Sequence, residues 1–145
     1  MSDYTDKTDN LMQKLVSCDT DSELTDYVDF IDGKYPLTLH EYIKTIIDDR
    51  NMTVADLQRA SKLDRNYIYQ IMDGSRQPGR DKIIAIALGA GMTLEECQRA
   101  LEISREGILY PKSRRDSIII YAVKNNLSVM DLNKLLEEYK ELTLQ

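Results

Sequence analysis

TVADLQRASKLDRNYIYQIMDGSRQP, residues 53–78, is the stretch whose reading decides the fold. Thr53 can cap a helix, and Asp56 three residues later completes a T-x-x-D capping box. In such a box the two side chains satisfy N–H groups that the first helical turn leaves unpaired. Val54, Leu57 and Ala60 then fall on one helical face. Asp64 can cap a second helix, and Leu63, Ile68 and Ile71 are spaced to hold it against the first. The side chains left over on that second helix are Arg65, Asn66, Tyr69 and Gln70. They are long and polar, and they include the types that form paired hydrogen bonds with base edges. Arg matches O6 and N7 of guanine, and Asn or Gln matches N6 and N7 of adenine.

Helix, tight turn, helix and basic loop is the layout of a helix-turn-helix. The stretch resembles the Cro/phage-repressor (Xre-type) family, whose usual pattern is T-x-x-x-L-A-x-x-x-G-[LV]-S-x-x-x-[IV]-S-x-[IL]-E-x-G-x-[RK]-x-P. The matching residues are Thr53, Leu57, Leu63, Ile68, Ile71, Gly74, Arg76 and Pro78. Departures include Gln58 where the pattern prefers Ala, Lys62 where it prefers Gly in the turn, Asp64 for Ser and Met72 for Glu. DKIIAIALGAGMTLEECQRAL, residues 81–101, resembles the fourth and fifth helices of the same domain. The resemblance thus spans about residues 37–102. It implies an all-α, lambda-repressor-like five-helix domain that reads the major groove of double-stranded DNA with the helix near 64–73. It also implies a bacterial setting.

On this reading Arg65, Asn66, Tyr69 and Gln70 are the base-reading candidates. Thr53, Tyr67, Arg76, Arg80 and Lys82 are the phosphate-contact candidates. Helix N-termini offer unpaired N–H groups and the positive end of a dipole, which suit phosphate. A third cluster is YPKSRRD, residues 110–116, where Lys112, Arg114 and Arg115 crowd an expected helix N-terminus. Cations there oppose the helix dipole, so the cluster calls for a counter-anion. Candidates are DNA phosphate, the acidic N-terminal segment or the carboxylates of a protein partner; a solvated turn with Asp116 offsetting part of the charge is the bland alternative.

The chain has 145 residues, of which 42% are hydrophobic and 30% charged, with a net charge of −6. The acidity is local. Residues 1–36 carry nine acids and three bases, and the remainder is balanced at 16 of each. Within residues 59–82 the bases Arg59, Lys62, Arg65, Arg76, Arg80 and Lys82 outnumber Asp64, Asp73 and Asp81, and a local basic face suffices for phosphate contact. No apolar run is long enough for a membrane span, and the acidic N-terminus does not read as a signal peptide, so a cytoplasmic protein is expected. Cys18 and Cys97 are far apart, and His40 stands alone. No zinc site or catalytic triad assembles from them, and the expectation is a non-enzyme with no metal and no cofactor.

The rest of the chain also reads as helix. Six [ST]-x-x-[DE] boxes mark helix starts: Thr20/Glu23, Thr38/Glu41, Thr53/Asp56, Thr93/Glu96, Ser113/Asp116 and Ser128/Asp131. NMTVADLQRA (51–60), GMTLEECQRA (91–100) and NLSVMDLNKL (126–135) echo one another. The echo reflects either a shared connector chemistry or the duplication of a helix pair. Three parts are expected. Residues 1–36 form an acidic helical arm with helices near 10–17 and 21–31, the second bearing a Leu24, Tyr27, Val28 and Ile31 stripe. Residues 37–102 form the DNA-binding domain. Residues 103–145 form a C-terminal helical pair, whose Leu132, Leu135, Leu136 and Tyr139 stripe is the candidate dimer interface. The leading expectation is a homodimeric, sequence-specific transcriptional regulator, a repressor or autoregulator. The alternative is a protein-interaction adaptor or antitoxin-like module on the same fold.

Overall fold

The computed structural model describes residues 8–34 and 38–145. Asp3, Asp6, Lys7 and Pro36 of the acidic arm lie outside the described residues. Those described are helical or irregular, with no strand among them. They form two compact units, one ending at Leu37 and one running from Thr38 to Gln145. Among the described residues, no helix is long and apolar enough to cross a membrane.

The first unit holds α1 (Thr8–Val16) and α2 (Asp21–Lys34). Thr20 caps α2, its Oγ1 accepting from the Glu23 N–H at 3.1 Å. The ammonium of Lys14 sits 4.7 Å from the centre of the Phe30 ring, tying the two helices together. Leu24 and Val28, half of the expected stripe, are each 45% exposed.

The second unit holds α3 (Leu39–Asp49), α4 (Val54–Ser61), α5 (Arg65–Met72), α6 (Arg80–Ala90), α7 (Leu94–Ile103), α8 (Arg114–Lys124) and α9 (Val129–Glu138). The expected caps explain the starts. Thr38/Glu41, Thr53/Asp56 and Thr93/Glu96 form complete reciprocal boxes at α3, α4 and α7. Ser113 and Ser128 cap α8 and α9 from one side only. Asp116 makes no return bond to the α8 cap, because its carboxylate is turned to Arg80 and the Tyr110 N–H.

Three helix ends share one connector. Met52, Met92 and Leu127 each donate an N–H to the carbonyl five residues back, at 2.9, 2.9 and 3.0 Å. The residue before each has a left-handed backbone: Asn51 at φ 54, Gly91 at φ 66 and Asn126 at φ 56. This is the Schellman arrangement, which satisfies the last carbonyls of a helix. A Thr or Ser cap follows at once, so the three copies of the internal echo share one connector geometry.

α6 lies at the centre of the core, with Ile83, Ile84, Ala85, Ile86, Ala87 and Ala90 all buried. Its approach to α4 is a backbone contact. A Cβ built at Gly89 would lie 2.8 Å from the Ser61 nitrogen, so a side chain there would push the helices apart. Arg50 and Glu96 pair at 2.7 Å and join the end of α3 to the start of α7.

The C-terminal pair is not a separate appendage. Ile119, Ala122, Leu132 and Leu136 are 0% exposed within the same unit. The stripe expected to form a dimer interface is therefore half used inside the chain. The loop between α7 and α8 is pinned as well: Gln98 Nε2 donates to the Leu109 carbonyl at 2.9 Å and Gln98 Oε1 accepts from the Leu109 N–H at 2.7 Å.

Candidate nucleic-acid interface

The turn between α4 and α5 forms without glycine. Lys62 adopts a left-handed backbone, φ 63 and ψ 15, at the C-cap of α4. A side chain there costs roughly 1–2 kcal/mol relative to a relaxed residue. Gln58 offsets part of that cost, because its Nε2 donates to the Leu63 carbonyl across the turn at 2.8 Å. The two departures from the family pattern thus belong together: Gln58 braces the turn that Lys62 strains.

Asp64 starts α5, its carboxylate accepting from the N–H groups of Asn66 and Tyr67 at 3.1 and 3.3 Å. Ile68 and Ile71 anchor the inner face at 0% and 1% exposure. Arg65, Asn66, Tyr69 and Gln70 are all exposed on the other side. Arg65 lies over the Tyr69 ring, 5.5 Å from its centre. The four base-reading candidates therefore share one solvent-facing surface on a rigidly seated helix.

A groove of about 470 Å³ runs beside this helix, lined by Lys62, Asp64, Asn66, Tyr67, Gln70, Arg76 and Lys82, with Leu63 at its base. Tyr67 carries two of its cations. Arg76 and Lys82 both stack on the Tyr67 ring, at 5.2 and 5.9 Å from the centroid. Cation–π attraction offsets part of the repulsion between these cations. Asp64 is the one carboxylate lining the groove, and both its contacts go to backbone N–H groups of α5. Lys82 also stands in the first turn of α6, where the dipole disfavours a cation. The groove therefore holds an excess of positive charge that favours an anion.

Gly74 follows α5 at φ 85, and a Cβ there would fall 2.7 Å from His40 Cε1. The left-handed backbone favours glycine here and turns the chain into the Arg76 loop, while the His40 ring would have to shift to admit a side chain. Arg76 Nε then donates to Gln70 Oε1 at 2.8 Å.

The remaining candidates sit differently. Thr53 is an exposed N-cap, but its own N–H is taken by the Asp56 carboxylate at 3.0 Å. A resident carboxylate thus occupies the anion position at the α4 N-terminus. Arg80 is turned inward. It grips Asp116 with two hydrogen bonds of 3.0 and 2.8 Å and donates to the carbonyls of Gly107 and Ile108 at 2.7 and 3.0 Å. This engaged guanidinium drops out of the set offered to phosphate. Arg115 is bound in the same manner, to both oxygens of Asp81 at 3.2 and 2.9 Å and to the carbonyls of Leu142 and Thr143. Arg114 reaches Glu141 at 3.3 Å and lies over Tyr139. The counter-anions of this cluster are the chain's own carboxylates on α6 and the C-terminal tail, a source the sequence reading did not weigh. Lys112 is exposed and pairs with no carboxylate among the described residues.

Lys62 lines the groove although it is not among the expected contact residues. Sequence shows it as a base in a turn, and only the fold brings it beside Tyr67 and Arg76.

Burial raises the Asp116 pKa, but the Arg80 hydrogen bonds, the Tyr110 N–H and the charges of Arg80 and Arg115 outweigh it, and the net shift is downward. Burial pushes the Cys97 thiol up to about 12, so it is inert as a nucleophile.

Comparison with known proteins finds no matching family model, no matching curated protein and no matching solved structure.

Proposed function

We propose that the chain binds double-stranded DNA sequence-specifically, with α5 in the major groove, and acts as a transcriptional regulator of the repressor or autoregulator kind. The observation that carries this is the pairing of two surfaces. Arg65, Asn66, Tyr69 and Gln70 form an exposed polar face, and the Tyr67, Arg76, Lys82 and Lys62 groove lies beside it. The first has the chemistry of base edges, and the second has the unmatched positive charge that a phosphate backbone neutralises. The order of α3 to α7, with α4 and α5 joined by a tight turn, supports a lambda-repressor-like arrangement.

One helix reads only a few base pairs, and specific binding must exceed non-specific binding by about a thousandfold or more to find a site in a genome. Two copies on a pseudo-palindrome meet that need. We therefore propose a homodimer in a bacterial cytoplasm. The surface available for it is the groove between α8 and α9, where Tyr121, Leu135 and Tyr139 lie alongside Ile118. The test is titration of a labelled selected duplex against a scrambled one at several salt concentrations. A DNA reader separates the two duplexes at every salt; an adaptor or antitoxin-like module on this fold binds both alike or neither.

A further inference from the structure

The short contact between Arg76 and Gln70 bears on which base Gln70 reads. An amide side chain is ordinarily ambiguous, because its oxygen and nitrogen can exchange places. Here they cannot. A guanidinium has donors only, so the atom 2.8 Å from Arg76 Nε is the amide oxygen. Arg76 is itself held in place. Its guanidinium lies 5.2 Å from the centre of the Tyr67 ring, and its backbone N–H donates to the Gln70 carbonyl at 3.2 Å. Ser75 Oγ donates to that carbonyl as well, at 3.3 Å. The loop thus folds back on the last turn of α5 and clasps Gln70 at both backbone and side chain.

Resting on the DNA-reading assignment above, we propose that Arg76 is a positioning residue that sets Gln70 to read guanine rather than adenine. In the major groove adenine presents an acceptor, N7, beside a donor, N6. A glutamine that reads it must lay its oxygen and nitrogen side by side against that edge. Guanine presents two acceptors, N7 and O6. With Oε1 drawn onto Arg76, the amide offers its two Nε2 donors, and two donors match two acceptors. The charge on Arg76 polarises the amide and strengthens those donors.

The experiment is selection of bound duplexes from random DNA with the full chain as wild type, Gln70→Ala and Arg76→Ala. The position whose base preference is flattened by Gln70→Ala is the one Gln70 reads. At that position the wild type selects guanine over adenine by about tenfold. Arg76→Ala frees Oε1 and brings the ratio to one or below, while other positions keep their order of preference. Adenine selected by the wild type there, or a guanine preference untouched by Arg76→Ala, overturns the inference. If Gln70→Ala flattens no position while Arg65→Ala flattens one, the inference fails and DNA reading stands. If the wild type enriches no sequence, the DNA reading fails and takes the inference with it.

Discussion

Arg80 and Asp116 grip each other through two parallel hydrogen bonds, 3.0 and 2.8 Å, across 36 residues of sequence. The next residue on one side and the preceding residue on the other repeat the grip in reverse, Arg115 holding Asp81. Two Arg-Asp dipeptides, one at the start of α6 and one in the first turn of α8, are thus cross-paired. The clamp joins the helix that follows the Arg76 loop to the C-terminal pair. Its side chains are only 10–25% exposed.

Breaking one side of this clamp should be costly. Asp116→Ala leaves the Arg80 charge largely buried and unpaired, and we expect a loss of about 2–4 kcal/mol in urea unfolding. Arg80→Met combined with Asp116→Leu should lose less than Asp116→Ala alone, since an apolar pair leaves no stranded charge. For the same reason a chain cut at residue 110 should be poorly folded, not a stable smaller domain. A cut chain with the melting temperature of the whole would contradict the clamp.

The pH dependence follows from the lowered pKa of Asp116. A carboxyl whose folded pKa lies below its ordinary value of 3.8 adds stability that is complete above that value. The contribution is lost as pH falls toward the folded pKa. The stability gap between wild type and Asp116→Asn should therefore be constant from pH 5 to 7 and narrow below about pH 4. A gap that widens on acidification would show that the carboxylate is not the stabilised form.

Gly89 marks the closest approach of two helix backbones. Gly89→Ala places a methyl 2.8 Å from the Ser61 nitrogen, where no flexible side chain can yield. We expect a loss of about 1–3 kcal/mol, read as a lower melting temperature. Unchanged melting would mean that α4 and α6 are less tightly seated.

Lys62→Gly separates backbone from charge. Relief of the left-handed strain should raise stability by about 0.5–1 kcal/mol after the added entropy of the unfolded chain. Loss of a groove cation should nonetheless weaken DNA binding at every sequence. Calorimetric unfolding beside DNA titration checks both, and lower stability would contradict the strain.

The helix starts were legible because capping is local chemistry: Thr38, Thr53 and Thr93 each bond a residue three positions on, and sequence spacing shows such pairs directly. The exposed polar face of α5 was legible for a similar reason, since Ile68 and Ile71 leave Arg65, Asn66, Tyr69 and Gln70 on the other side of a single helix. What stayed hidden depends on chain-distant partners. Arg80 and Lys82 look alike in sequence, two bases in one helical turn. Only the fold brings Asp116 to the first and Tyr67 to the second. Arg115 reads as a cation in need of a counter-anion, and the sequence does not point to Asp81 because it lies 34 residues away. Lys62 falls where the resembled pattern has a turn glycine, so its position marks the turn, but a lysine side chain does not by itself show the left-handed φ of 63 found there.

The salt dependence of binding distinguishes these look-alikes. Lys82→Ala and Arg76→Ala should each flatten the slope of log affinity against log salt by about one phosphate. Arg80→Met, compared at a temperature where it is folded, should leave the slope unchanged. An equal effect of all three would return Arg80 to the DNA face.

The central claim is that α5 reads bases. Its most direct measurement is the ratio of affinities for a selected duplex and a scrambled one, taken for wild type, Arg65→Ala and Gln70→Ala. Both substitutions fall on exposed positions, so folding is preserved. Each should lower affinity for the selected duplex by about 1–3 kcal/mol and leave affinity for the scrambled one within about twofold. A wild-type ratio near one, or a ratio that neither substitution changes, would contradict the account.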